Sequence, residues 1–257
     1  MNPKIAAILA KKGKAPVSEL TAYDYPTARL LDEAGIDILL VGDSLGMTML
    51  GYPDTTHVTM EHMLHHAEAV ARGAKNAVVV CDMPIHSFDT PEQAVANAKR
   101  LMATGVDAVK LEGGVDKEDC IRAIVAAGIP VQGHIGLLPQ KVLEEGGYKM
   151  KGKTDEEAAA IMADMEAVAR AGAFSVVIEC TKKSVAAEIT KRCPIITIGI
   201  GAGHGTCDGE VLVFHDLMGV SPWFVPGFVT PKAAIGAEVM RAAKEYAAEL
   251  TLPGEKE

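Results

Sequence analysis

One pattern recurs along this chain and limits what it can fold into. A short apolar run stops abruptly at a carboxylate, a histidine or a lysine–glutamate pair, usually with glycine nearby. Ile38-Leu39-Leu40-Val41 runs into Gly42-Asp43-Ser44-Leu45-Gly46. Val78-Val79-Val80-Cys81 ends at Asp82, and Ala108-Val109-Lys110-Leu111-Glu112 ends at Gly113-Gly114. Val131-Gln132-Gly133 ends at His134, and Val176-Val177-Ile178 ends at Glu179. Continuous apolar runs of this length read as strands buried on both faces, the habit of parallel sheets. Polar groups at the carboxyl ends of such strands are how parallel α/β proteins build sites.

Helical patterns separate the strands. Thr59 is an N-cap for a helix running to residue 73. Thr90-Pro91-Glu92-Gln93 opens another with a capping box and proline in the first turn, and Thr154-Asp155-Glu156-Glu157 a third. Ala94, Val95, Ala98, Leu101 and Met102 keep one helical face. The first strand is expected at 17–22, the seventh at 194–200 and the eighth near 220–225, with a last helix over about 231–250. Roughly eight strand–helix alternations in 257 residues predict a single-domain (β/α)8 barrel, a TIM barrel, spanning 1–257 with an N-terminal and a C-terminal helix. A doubly wound open sheet is the rival. Residues 135–153, with Pro139, Gly146, Gly147 and Tyr148, break the alternation and read as a long loop over the strand ends, a candidate lid.

Charge and cysteine usage narrow the partners. The net charge of −9 argues against nucleic acid and anionic membrane. No apolar stretch reaches the roughly 20 residues of a membrane helix, and the N-terminus lacks a signal-peptide core. Five cysteines without a C-x-x-C pair suggest reduced thiols and a cytoplasmic protein.

Alternation along 108–112 puts Ala108, Lys110 and Glu112 on one face and Val109 and Leu111 on the other, which should meet the helices. Lys110 and Glu112 then point into the barrel mouth, as an internal ion pair or as ligands. Asp43, Asp82 and Glu112 end consecutive strands, and neighbouring strands lie about 4.8 Å apart. Singly, Asp43 and Asp82 are better explained as caps of the helices that follow them. Together, three carboxylates so close favour a divalent cation such as Mg²⁺, which takes oxygen ligands. Glu179, on a strand across the mouth, is either a proton acceptor with a raised pKa or a surface carboxylate. His134 is a donor to substrate or a rim histidine. His62, His65 and His66 read as helix surface, since no zinc-protease glutamate accompanies them. Gly199-Ile200-Gly201-Ala202-Gly203 is not a dinucleotide fingerprint and suits close backbone approach to a ligand. Cys81 and Cys180 read as packing residues.

Five segments together resemble the ketopantoate hydroxymethyltransferase family over nearly the whole chain. They are Thr21-Ala22-Tyr23-Asp24-Tyr25, Val41-Gly42-Asp43-Ser44-Leu45-Gly46-Met47, Val109-Lys110-Leu111-Glu112-Gly113-Gly114, Gly133-His134-Ile135-Gly136-Leu137 and the glycine-rich 199–203 run. The resemblance implies a (β/α)8 barrel that uses Mg²⁺, with methylenetetrahydrofolate as co-substrate and 3-methyl-2-oxobutanoate as acceptor. By position it implies Asp43, Asp82 and Glu112 at the metal. It implies Asp43, Ser44, Asp82 and Lys110 on the ketoacid, Glu179 as general base, and a homodecamer of two pentamers. Two stretches depart from the family pattern: 203–209 looks long, and Ser221-Pro222-Trp223-Phe224-Val225-Pro226 is unlike a barrel strand. Related readings are a carbon–carbon lyase of the isocitrate lyase and phosphoenolpyruvate mutase kind, whose Lys-Lys-Cys-Gly loop is absent, and a non-catalytic ligand-binding barrel.

Overall fold

A computed structural model describes residues 2–250. Eight parallel strands close into a barrel in simple sequence order: β1 Val17–Thr21, β2 Ile38–Val41, β3 Val78–Asp82, β4 Ala108–Glu112, β5 Val131–Gly136, β6 Ser175–Glu179, β7 Ile196–Ile200 and β8 Gly209–Leu212. The barrel core is apolar toward its amino-terminal end. Ile38, Leu40, Val78, Val80, Ala108, Val177, Ile196, Ile198 and Val211 pack together there. Ile5 and Ile8 of the helix Pro3–Leu9 join the same cluster and close the barrel floor.

Register sets what faces the mouth. Asp82 pairs with Lys110, Lys110 with Gln132, and Gln132 with Ser175. One layer higher, Glu112 pairs with His134 and His134 with Val177. Higher still, Gly136 pairs with Glu179. The barrel interior therefore changes from aliphatic to polar along its axis.

The caps form as their sequences require. Thr59 accepts from the His62 N–H in a closed capping box. Thr90 and Thr154 accept from the backbone N–H groups of Gln93 and Glu157. The side chains of Gln93 and Glu157, however, reach back one residue further, to the N–H groups of Asp89 and Lys153. Ala94, Ala98 and Leu101 form the buried face of the helix Pro91–Met102.

The eighth strand is not at 220–225. It is Gly209–Leu212, at the end of the loop that looks long for the family. Pro222 and Pro226 lack the N–H groups a barrel strand must donate, and Trp223 is 83% exposed. Gly209 pairs with Ile198, and a Cβ there would collide with the Val17 carbonyl oxygen, so closure against β1 demands glycine. The Val17 N–H donates to the Asp208 carbonyl at 3.0 Å.

By internal contacts the chain divides into two units, Met1–Val211 and Leu212–Glu257. The first carries the barrel. The second contains the short helix Phe214–Leu217 and the helix Ile235–Glu249, and exposes Trp223, Phe224, Phe228, Val239, Met240 and Tyr246. No helix among the described residues is long and apolar enough to cross a membrane.

Candidate active site

β3 and β4 deliver the centre of the site. Asp82 and Lys110 are register partners, and the Lys110 ammonium donates to Asp82 Oδ1 at 2.5 Å. Both side chains are 5% exposed. Burial alone would push the Lys110 pKa down. The charges of Asp82, Asp43 and Glu112 outweigh it and raise the value, so the lysine stays charged. Asp43 follows β2, and its backbone N–H donates to the other oxygen of Asp82, Oδ2, at 3.0 Å. Burial, then the charge of Asp82, pushes Asp43 up to about 7. Glu112, at the end of β4, is held well above the carboxylate range by burial and then by Asp43.

Across the mouth, Glu179 ends β6. Burial raises it to about 8 against the pull of Lys110, although the side chain keeps 16% exposure. His134 stands between the two glutamates. Its Nε2 lies 3.1 Å from Glu179 Oε2 and its Nδ1 3.7 Å from Glu112 Oε1. It is not a rim histidine: it is buried, because its place in β5 points it inward. Burial, then the neighbouring Lys110 charge, lowers its pKa well below the usual value and keeps the ring neutral. Neither ring nitrogen has a partner in good hydrogen-bond geometry. Ser44, beside Asp43, exchanges a hydrogen bond with the buried Tyr23 hydroxyl at 2.8 Å.

Asp43, Ser44, Asp82, Lys110, Glu112, His134 and Glu179 thus share one end of one barrel. Four carboxyl groups face a single ammonium and a neutral imidazole, which leaves the site short of positive charge. Yet no three His, Cys, Asp or Glu side chains among the described residues stand ready to hold a metal ion. The carboxyl groups are hydrogen-bonded within the protein. Lys110 occupies Asp82, and Gln140 occupies both Asp43 Oδ2 and Glu112 Oε2. What the donor set fits is a hard cation on few protein ligands. All its donors are carboxyl oxygens, and Mg²⁺ usually takes one or two carboxylates and keeps water or substrate on the rest.

Sequence reasoning missed three residues here. Gln140 lies in a segment without periodicity, and nothing local marks it. Tyr23 belongs to a quoted motif but carries no charge to draw attention. Glu19 was findable. It alternates with Val17 and Thr21 on one face of β1, and it is buried inside the barrel, where Gln132 donates to it at 3.1 Å. The histidines of the helix Met60–Gly73 do not form a zinc pair. His62 closes the cap, and His66 Nδ1 donates to the Tyr23 carbonyl at 2.6 Å.

Over 135–153, β5 takes the first two residues, and a short 3₁₀ turn, Pro139–Lys141, carries Gln140 inward. Residues 143–150 are mostly exposed and pass over the mouth. There the Tyr148 hydroxyl meets Met47 Sδ at 3.8 Å, and burial followed by the charge of Glu179 raises Tyr148 to about 12.

Comparison with known proteins gives a consistent result. A family model described as ketopantoate hydroxymethyltransferase matches residues 3–252. A 3-methyl-2-oxobutanoate hydroxymethyltransferase of Mesorhizobium japonicum is 54% identical over 96% of this chain and 87% of its own. Among solved structures, a phosphonopyruvate hydrolase in complex with oxalate and Mg²⁺ superposes with a TM-score of 0.65 at 14% identity, covering 95% of this chain and 86% of that one. A 2,3-dimethylmalate lyase, a member of the phosphoenolpyruvate mutase and isocitrate lyase superfamily, gives 0.61 at 18% identity, covering 99% and 91%. At those identities the solved structures establish the shared barrel and nothing more.

Proposed function

The chain belongs to the ketopantoate hydroxymethyltransferase family, and from that membership we propose that it moves a hydroxymethyl group from methylenetetrahydrofolate to 3-methyl-2-oxobutanoate, giving 2-dehydropantoate for pantothenate synthesis. The observation that carries the proposal is the pairing of a buried acidic cluster around Lys110 with a separate acid, Glu179, held at about 8 across the same mouth. One side suits binding of an anionic ketoacid, and the other suits proton removal.

Asp43 and Asp82 would hold Mg²⁺, with Glu112 as the third carboxylate of the set. When bound, the ion supplies Lewis acidity to the carboxylate and keto oxygens of the ketoacid. The chain's own groups do the rest. Ser44 and Lys110 bind and orient the ketoacid, and the fixed ammonium lies where negative charge develops on the keto oxygen. Glu179 takes the C3 proton, and its raised pKa suits it to hold that proton near neutral pH. His134, neutral and 3.1 Å from Glu179, adds a donor without adding a charge. The C3 carbanion equivalent then forms a bond to the folate methylene carbon. One methylene–nitrogen bond breaks as the carbon bond forms, water displaces the second nitrogen and becomes the hydroxyl, and the C3 proton and one proton of the water go to the two nitrogens as tetrahydrofolate leaves.

Exchange of the C3 hydrogen for deuterium in Mg²⁺ buffer, without folate, tests this half-reaction. Wild type should exchange, and Glu179→Gln and Asp82→Ala should not. Only Glu179→Gln should keep its metal affinity. A wild-type enzyme that never exchanges C3 would end the reading.

The five described cysteines are unpaired, which supports a cytoplasmic location. The exposed apolar residues of the Leu212–Glu257 unit support burial against further copies of the chain, in the decamer the family resemblance implies.

A further inference from the structure

Gln140 is the only buried polar side chain between residues 137 and 154, and its bonds lead to the acidic cluster and to the backbone just after Asp82. Its carboxamide has two N–H groups, and both are used. One donates to Asp43 Oδ2 at 2.8 Å and the other to the Met83 carbonyl at 3.0 Å. Its backbone N–H donates to Glu112 Oε2 at 3.1 Å. One residue of a loop thus ties the end of β2, the segment after β3 and the end of β4.

The consequence for the carboxylates is directional. With Oδ2 of Asp43 and Oε2 of Glu112 accepting these bonds, the rotation of each carboxyl group is restrained. Groups one bond removed from a metal ligand act in this way, and their loss commonly weakens metal binding about 10–100-fold.

The consequence for the loop is a strap fixed at both ends. Beyond Gln140, residues 143–150 are largely exposed, and Gly146 and Gly147 take positive φ. The strap is pinned again at Lys151, whose N–H donates to the Cys180 carbonyl at 2.8 Å, one residue past Glu179. If docked Gln140 favours the ion-competent rotamers, linkage requires that the ion favour docked Gln140 equally.

We propose that Gln140 is a positioning residue for the cation's carboxylates, and that through it cation binding and ordering of the 143–150 strap form one equilibrium. The inference rests on the ion site of the proposed function.

The test combines Mg²⁺ titration by calorimetry with amide hydrogen exchange of peptides covering 143–150, on the full chain without substrate. Gln140→Met conserves volume and removes both donors. Gln140→Asn keeps an amide one methylene too short. In wild type, Mg²⁺ slows exchange across the strap. In both variants Mg²⁺ binds at least about tenfold more weakly, and strap exchange no longer responds to it, even at saturating ion. Wild-type Mg²⁺ affinity in either variant, or a strap that still responds, overturns the inference. Asp43→Asn separates the two levels. If it loses Mg²⁺ while Gln140→Met binds normally, only the inference falls. If Asp43→Asn binds Mg²⁺ like wild type, the ion site falls and takes the inference with it.

Discussion

Lys110 Nζ lies 2.5 Å from Asp82 Oδ1 across two neighbouring strands, and neither group reaches solvent appreciably. A buried pair of this kind is costly to break from one side, because the survivor keeps its charge without compensation. Lys110→Met should therefore lose about 3–5 kcal/mol of stability in denaturant titrations made in chelator. It should also lower C3 exchange by at least about a hundredfold, since the positive charge proposed to face the keto oxygen would be gone. A variant as stable as wild type would mean that Asp82 does not depend on the lysine for its charge balance.

Glu179 sets a second expectation. Burial holds it at about 8, above its usual 4.5. A general base works only when ionised, so exchange should rise with pH along a limb above the ordinary carboxylate range and no higher than about 8. Bound cation, being positive, would move the limb down from 8 but not create it. In the Glu179→Gln variant the limb should vanish with the activity. A wild-type rate that is flat from pH 5 upward would place the proton acceptor elsewhere.

Tyr23 and Ser44 make a smaller claim that a double-mutant cycle can isolate. Their hydroxyls are 2.8 Å apart, and Tyr23 is buried. For Ser44 to donate to the ketoacid carboxylate, Tyr23 must donate to Ser44, which fixes the direction of both hydrogens. Tyr23→Phe should raise KM for the ketoacid by up to about tenfold with little change in kcat, the scale of one hydrogen bond. In a Ser44→Ala background the same change should do almost nothing. Additive effects would show that Tyr23 acts on something other than Ser44.

What could be read in advance follows from what has a period. β3 and β4 were legible because apolar runs flanked by glycine and helix caps have few alternatives, and alternation fixed Lys110 and Glu112 inward before any coordinates. β8 was not. Four residues, two of them fully buried, give too short a run to stand out, and its defining glycine works by what it lacks. For His134 the sequence leaves a substrate donor and a rim histidine open, because strand ends predict height poorly, whereas the register shows it one layer inside Glu179. Gln140 had no local signal at all. Its role comes from a loop path that brings it back over strands about a hundred residues earlier in the chain, and only the fold contains that path.

Glu19 offers a prediction about the barrel that is independent of the reaction. It is 1% exposed, and burial raises its pKa from 4.5 to about 7 despite the Gln132 hydrogen bond and the Lys110 charge. Its Oε1 and the Oε1 of Gln132 are both buried without partners. A proton on Glu19 gives that pair a donor, and ionisation removes it. Because the folded state holds this proton more tightly than the unfolded chain, its contribution is complete below about pH 4.5. It is lost as pH rises through about 7, amounting to about 3 kcal/mol in all. Glu19→Gln supplies the missing donor permanently, so amide can pair with amide at every pH. Unfolding free energies of the two proteins in chelator should converge near pH 4.5 and separate in favour of the variant above pH 7. Asp43, Glu112 and Glu179 push wild-type stability the same way, but they are common to both proteins and leave the difference to Glu19. Parallel curves from pH 5 to pH 8 would show that Glu19 is already charged in the folded barrel.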